Sequence, residues 1–230
     1  MLSNYNWDRP IYFVSQGGDL EIGIKNYLQF EGFAYKLVPI KSTTRTAEIG
    51  QIDALKMFDK VMKVYEWDNL SDTSINIDYQ NLATFNGVMN IRGIFVQTAI
   101  GLYEDGYKEK AVQVLDRMQQ VMVPQNFPLN TSILYSINEY MVLQAIEIYI
   151  KSGEKGKGVK LAQEFAFETL EAVELFAKPY GRGVLSKSDL ENSYSLYGYM
   201  LEILSGCGAK EEADALELQF NEVITALLAE

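Results

Sequence analysis

Three short phrases recur in the second half of the chain and constrain its fold more than any other feature. They are Asp105-Gly106-Tyr107-Lys108-Glu109-Lys110-Ala111, Ser152-Gly153-Glu154-Lys155-Gly156-Lys157-Gly158 and Cys207-Gly208-Ala209-Lys210-Glu211-Glu212-Ala213. In each, a glycine is followed five residues later by a small residue. The glycine permits a tight turn, and the small residue lets two helices approach closely. Each phrase lies between segments with apolar residues at helical spacing. Met89, Phe95, Ile100, Leu102 and Tyr103 precede the first phrase, and Ala111, Leu115 and Met118 run through the helix after it. Ile133 to Lys151 and Val159 to Phe176 flank the second, and Tyr194 to Leu204 and Ala209 to Leu228 the third, with Ala213, Leu216 and Phe220 inward. Pro124 and Lys178-Pro179 close the first two hairpins.

A glycine followed by Lys/Glu-rich residues and then alanine is the tetratricopeptide-type phrase, although the repeats here are longer than the standard ~34 residues. The expected fold is therefore mainly α: a tetratricopeptide-like α-α superhelix of three helical hairpins over residues 79–230. Each hairpin would bury one face on the next.

Residues 1–70 read as a small α/β element. Pro10 to Ser15 is β-branched and aromatic with proline leading, a short strand. Gly17-Gly18-Asp19 breaks it, Asp19 caps a helix to about Phe30, and Gly32 ends that helix. Ala34 to Ile40 is a second strand, so the pattern predicts a βαβ unit with parallel strands. Lys41 to Gly50 is polar and read as a loop, and Trp67 to Asp78 as another. Between them Ile52, Leu55, Phe58, Met62 and Tyr65 predict one apolar helix face.

Histidine is absent from all 230 residues. That excludes Ser-His-Asp and Cys-His catalysis and His-ligated zinc or iron. Acid–base chemistry would fall to Asp, Glu, Lys or Tyr. A net charge of −11 disfavours nucleic acid and anionic lipid as partners. The lone Cys207 lacks the basic neighbour a reactive thiolate needs. No apolar run approaches the ~18 residues of a membrane span. Met1 to Pro10 lacks the basic start and apolar core of a signal peptide.

Candidate chemistry is sparse. Gly153 to Gly158 has glycine spacing like a phosphate loop, but Val159 follows and the context is a turn between helices. Gln16-Gly17-Gly18 could hold an anion at a helix N-terminus, although Asp19 would repel it. Asp68, Asp72 and Asp78 fail the calcium-loop spacing, because Leu70 and Thr73 stand where an acid and a glycine belong. Glu164, Glu168, Glu171 and Glu174 read as a solvated helix face. No catalytic residue, metal site or cofactor is expected. Tyrosines are the best binding clue, since they offer stiff contact area with a polar tip. With fifteen of them in the chain, helical spacing alone marks core before contact surface. The candidate groove on the first helices comprises Asn90, Arg92, Tyr103, Tyr140, Tyr149 and Tyr197.

Trp7-Asp8-Arg9-Pro10-Ile11-Tyr12-Phe13, Tyr27 to Ile40, and Asn86, Asn90, Arg92 and Phe95 with Glu104 to Ala111 carry a resemblance. The chain resembles, over about Met1 to Pro128, the C-terminal soluble region of bacterial multi-spanning membrane proteins of the protein O-mannosyltransferase-like glycosyltransferase family. Asp8 stands where that family usually has a basic residue. The resemblance implies a role beside a membrane enzyme that moves sugar from a lipid carrier, on the extracytoplasmic face of the inner membrane. A stand-alone relative would be a soluble cytoplasmic protein. The family's membrane segments and catalytic acids have no counterpart here. The expected function is thus a non-catalytic interaction or scaffold module for a protein, peptide or glycan segment, tied to a membrane only through a larger parent or partner. The alternative is a sugar- or nucleotide-binding accessory domain using Gln16 to Asp19.

Overall fold

A computed structural model of the protein describes residues 9–14, 24–41, 51–75, 89–131, 137–177 and 187–229. The chain divides into two compact units, Met1–Tyr65 and Glu66–Glu230.

In the second unit the three turn glycines take backbone angles that residues with a Cβ rarely adopt. Gly106, Gly153 and Gly208 have φ of +85°, +96° and +84°. Each ends a helix in the same way. The N–H of Tyr107, Glu154 or Ala209 bonds back to the carbonyl of Leu102, Tyr149 or Leu204 at 2.7–2.9 Å. The glycine N–H bonds to Tyr103, Ile150 or Ser205 at 3.0–3.3 Å. This double closure satisfies carbonyls that a helix end would leave orphaned. The chain then restarts, and the N–H of Ala111, Gly158 or Ala213 bonds to the carbonyl four residues earlier.

The resulting helices are α2 (Met89–Glu104) and α3 (Lys108–Val121), α4 (Ile137–Lys151) and α5 (Lys155–Ala177), and α6 (Lys187–Gly206) and α7 (Lys210–Ala229). They pair as three hairpins. First helices also pack on each other, α2 on α4 and α4 on α6, and α5 packs on α7. The helix expected from Val159 begins at Lys155, so Gly156 and Lys157 lie in its first turn rather than in the loop. Lys178-Pro179, Asp78, residues 79–88 and 132–136 lie outside the described residues.

The small residues of the three phrases sit at the hairpin contacts. Ala111 and Ala213 are buried, and a Cβ on Gly158 would stand 2.5 Å from Ile150 Cγ1 and 3.0 Å from the Ile146 carbonyl oxygen. Around them α3 buries Val112, Val114, Leu115, Met118 and Val121. Each such side chain contributes about 1.5–3 kcal/mol. Trp67 belongs to this unit and packs on Phe95 at 4.8 Å between ring centroids. Asn126 Nδ2 holds the preceding segment by donating to the carbonyls of Leu70 and Asp72. Asp72 itself accepts from Ser74 in a local turn.

The first unit departs from the expected βαβ pattern. Its strands are β1 (Tyr12–Phe13), β2 (Leu28–Phe30), β3 (Tyr35–Leu37) and β4 (Gln51–Ile52), in the order β1-β3-β2-β4. β1 and β3, the two strands anticipated, pair antiparallel, and only β2 and β4 are parallel. Leu28 to Phe30, expected as the end of a helix, is a central strand. Alternation explains the error: Leu28 and Phe30 face one side with Tyr35, Leu37 and Ile52 in register. Gly32, expected as a helix stop, lies in the β2–β3 turn with φ +79°. Residues 15–23, including Gln16 to Asp19, and residues 42–50 lie outside the described residues.

The helix expected from Ile52 is α1 (Ala54–Asp59), continued by a wider π turn over Lys60–Val64. Asp53 caps it by accepting from the Lys56 N–H at 3.1 Å. Its buried stripe is Ala54, Met57, Phe58 and Val61, whereas Leu55 is exposed. The expected stripe shared only Phe58 with it. Two apolar series overlap in this segment, and Ile52 is drawn into β4 beside Phe30.

Candidate functional site

Aligning the hairpins on their turn glycines places equivalent residues of the first helices side by side. Gly93, Tyr140 and Ser195 form one row, and Gln97, Gln144 and Tyr199 the next. Ile100, Glu147 and Glu202 form the third. None of these nine is buried, whereas most positions between them are. Spacings of four and three put the rows on one stripe of each helix. All three first helices thus keep the same face accessible.

Contacts tie the face together. Tyr140 of α4 and Tyr199 of α6 are both largely exposed, and their rings lie 6.2 Å apart. Gln97 Nε2 of α2 approaches Met141 Sδ of α4 at 3.7 Å. At the far end Lys151 pairs with Glu147, and Lys108 stands 5.6 Å from the Tyr103 ring centroid. The face is aromatic and amide-rich, with few charges.

Among the residues singled out in the sequence, Asn90 and Tyr140 are exposed and Tyr103 is half-buried. Arg92, Tyr149 and Tyr197 are buried to 1%, 2% and 1% exposure, so they offer no contact surface to a partner. Tyr149 occupies the helix-end position that Leu102 and Leu204 fill in the other hairpins. Its hydroxyl donates to Asp116 Oδ1 at 3.1 Å, and burial raises its pKa. Tyr197 donates to the Leu216 carbonyl at 2.9 Å, packs 4.4 Å from the Phe220 ring, and is pushed up to about 12 by burial. Tyr199 is the contact residue that belongs in its place. Only alignment on the turn glycines distinguishes the two.

Arg92 serves the connection between α3 and α4. Its guanidinium donates to the Phe127 carbonyl at 2.9 Å, the Pro128 carbonyl at 3.1 Å and Asn138 Oδ1. Burial pushes its pKa down to about 10, against the pull of Glu168 and Glu139, so it stays charged at neutral pH. Glu168, expected on a solvated face, instead reaches the same loop. Its Oε2 accepts from the N–H of Leu129 at 2.6 Å and Asn130 at 3.0 Å. Glu139 Oε1 accepts from the N–H and hydroxyl of Thr131. Burial raises the pKa of both carboxyls, with these hydrogen bonds opposing it.

The first unit holds a second polar cluster that the sequence did not suggest. The Glu31 carboxylate is nearly buried and binds Lys56 on Oε1, and Lys60 at 2.5 Å on Oε2. Tyr12 donates to Oε2 at 3.3 Å, and Tyr65 donates to the Glu31 backbone carbonyl at 2.8 Å. Burial alone would raise the carboxyl pKa, but the two ammonium groups together hold it below the usual range. These bonds join the β2–β3 turn to α1.

The class defined is thus a mainly helical protein, whose described helices pair across their turn glycines, with a small N-terminal mixed sheet. A family model described as TMEM260-associated domain 2 matches residues 1–56. No curated protein and no solved structure matches the chain. Among the described residues, no helix is long and apolar enough to cross a membrane.

Proposed function

We propose that the helical unit is a non-catalytic, tetratricopeptide-like interaction module that receives a protein or peptide segment on its first-helix face. The observation that carries this reading is the contact of two exposed tyrosines, Tyr140 and Tyr199, from equivalent faces of neighbouring first helices. Exposed tyrosines give contact area at low entropic cost. The family-model match over residues 1–56 supports association of the chain with a membrane glycosyltransferase-like protein. In that setting the module would work on the extracytoplasmic side, as a scaffold for a polypeptide or its glycan.

The test is site-specific photo-crosslinking in cells, with benzoylphenylalanine at position 140, 199 or 113. Gln113 is an exposed control on α3. A common partner captured from 140 and 199 but not from 113 is the expected result. No adduct from 140 and 199, or equal capture from all three positions, would refute the reading.

A further inference from the structure

A second surface lies on the second helices of the last two hairpins. Between α5 and α7 runs an open groove of about 530 Å³, whose apolar lining is Phe167, Ala215 and Leu216. Phe167 is 57% exposed, and Leu218 nearby on α7 is 62% exposed.

The frame around the groove is strongly acidic. Glu211 and Glu212 line it directly. Lys210 is the single basic residue of α7, against Glu211, Glu212, Asp214, Glu217 and Glu222. Among these acids Glu212 pairs with Lys155 at 2.9 Å. Glu211 and Glu222, on the groove side of α7, are exposed and form no ion pair among the described residues, whereas Asp214 and Glu217 fall on other faces of the helix. Farther along α5, Glu171 and Glu174 are exposed too. Lys155, Lys160 and Lys210 stand among these acids, but Lys155 and Lys160 are paired with Glu212 and Glu164, so the unpaired charge beside the apolar strip is mainly acidic and attracts the opposite sign.

That sign decides the occupant. Phosphate-bearing surfaces, nucleic acid and anionic lipid are repelled. A second copy docking by a two-fold axis would bring the same acids face to face. We propose that this groove docks a cationic amphipathic segment of a partner protein, with an apolar side chain against Phe167 and Ala215 and lysine or arginine side chains on Glu211 and its acidic neighbours. The contact is separate from the first-helix face and does not depend on it.

The test uses a synthetic helix about four turns long, with leucines on one face and lysines on the other, titrated into the full chain by fluorescence anisotropy. Comparison probes are the same composition scrambled to destroy the apolar face, polylysine, and the helix with glutamates in place of lysines. The expected result is saturable binding of the leucine–lysine helix, weakened about tenfold by Phe167→Ser and about tenfold by Glu211→Lys with Glu222→Lys. Phe167→Ser should keep the wild-type melting temperature, because the site is exposed; the double lysine variant removes an acid from the first turn of α7 and should lower it only slightly, so the chain stays folded at the assay temperature. Tyr140→Ala with Tyr199→Ala should leave this binding unchanged. Absence of binding, equal binding of the scrambled peptide or polylysine, or indifference to Phe167→Ser would overturn the proposal. So would self-association in sedimentation that disappears in Phe167→Ser.

Discussion

Gly158→Ala should destabilise the helical unit although alanine is the better helix former. Two effects of opposite sign meet at this position. Replacing glycine by alanine in a helix is worth up to about 1 kcal/mol in propensity. Against that, the new methyl would stand 2.5 Å from Ile150 Cγ1 and 3.0 Å from the Ile146 carbonyl oxygen. The Ile150 side chain is buried and can move only into its neighbours. The Ile146 carbonyl is backbone and can yield only if α4 and α5 part. Overpacking of this kind costs about 1–3 kcal/mol, and with backbone as one of the two clashing atoms the upper half of that range applies, so the net loss should be about 1–2 kcal/mol. Gly156→Ala provides the control: it lies in the same helical turn with nothing within 4 Å of its added Cβ, and it should be neutral or stabilising. Urea unfolding followed by far-UV circular dichroism measures both. Adding Ile150→Ala to Gly158→Ala should recover part of the loss, and a double-mutant cycle isolates that coupling. If Gly158→Ala stabilises the chain as much as Gly156→Ala does, close approach of α4 and α5 at this glycine is wrong.

Arg92→Met should cost about 3–5 kcal/mol, because it leaves the Phe127 carbonyl and Asn138 Oδ1 without their donor, leaves Pro128 only the longer bond from Asn138 Nδ2, and removes the positive charge beside Glu139 and Glu168; a loss under about 1 kcal/mol in chemical denaturation would contradict the clamp. Glu31→Gln gives a pH-dependent result. The Glu31 carboxyl is depressed in the fold, so its ion cluster stabilises fully above the ordinary carboxylate range, and that stability is lost as pH falls through the depressed value. The gap in melting temperature between wild type and Glu31→Gln should therefore be widest at neutral pH and close on acidification, and a gap that widens toward acid would sink this account.

How much of this was legible in the sequence depends on which period a segment follows and how far its partners lie. The three hairpins were readable because a left-handed glycine, a restart and a small residue recur locally at fixed offsets. Their helix starts differ where the expected run opens on the first apolar residue: α5 starts at Lys155 rather than Val159, with Gly156 exposed in its first turn, and α6 at Lys187 rather than Tyr194. The sheet was misread because Leu28 to Phe30 is short and apolar, and its strand identity comes from Tyr35 to Leu37 and Ile52, which no local pattern reveals. Tyrosine content pointed to the first helices but could not separate Tyr197 from Tyr199. They are two positions apart and face opposite ways on the helix. Glu168 was misplaced for a related reason: its neighbours on the helix are solvated, and its partners are backbone N–H groups about forty residues earlier.

The repeat frame also explains why polar residues are buried between the first two hairpins. Arg92 and Glu139 stand fourteen residues before their turn glycines, so they are equivalent positions in successive hairpins. Both are buried and both reach the segment Phe127 to Thr131: Arg92 donates to the Phe127 and Pro128 carbonyls as well as to Asn138, and Glu139 accepts from Thr131 on Oε1 alone. The equivalent residue of the third hairpin, Tyr194, is 38% exposed and stacks edge-on with Phe220 instead. Burying charge there is costly, and an apolar pair would often be at least as stable. What the charges supply is direction: the three acceptors of Arg92 fix the loop entering α4 against α2. The relative rotation of α2 and α4 decides whether Gln97 and Tyr140 fall on one continuous face. On this argument Arg92 and Glu139 act on the accessible face without touching it, by setting the angle at which the first two hairpins meet.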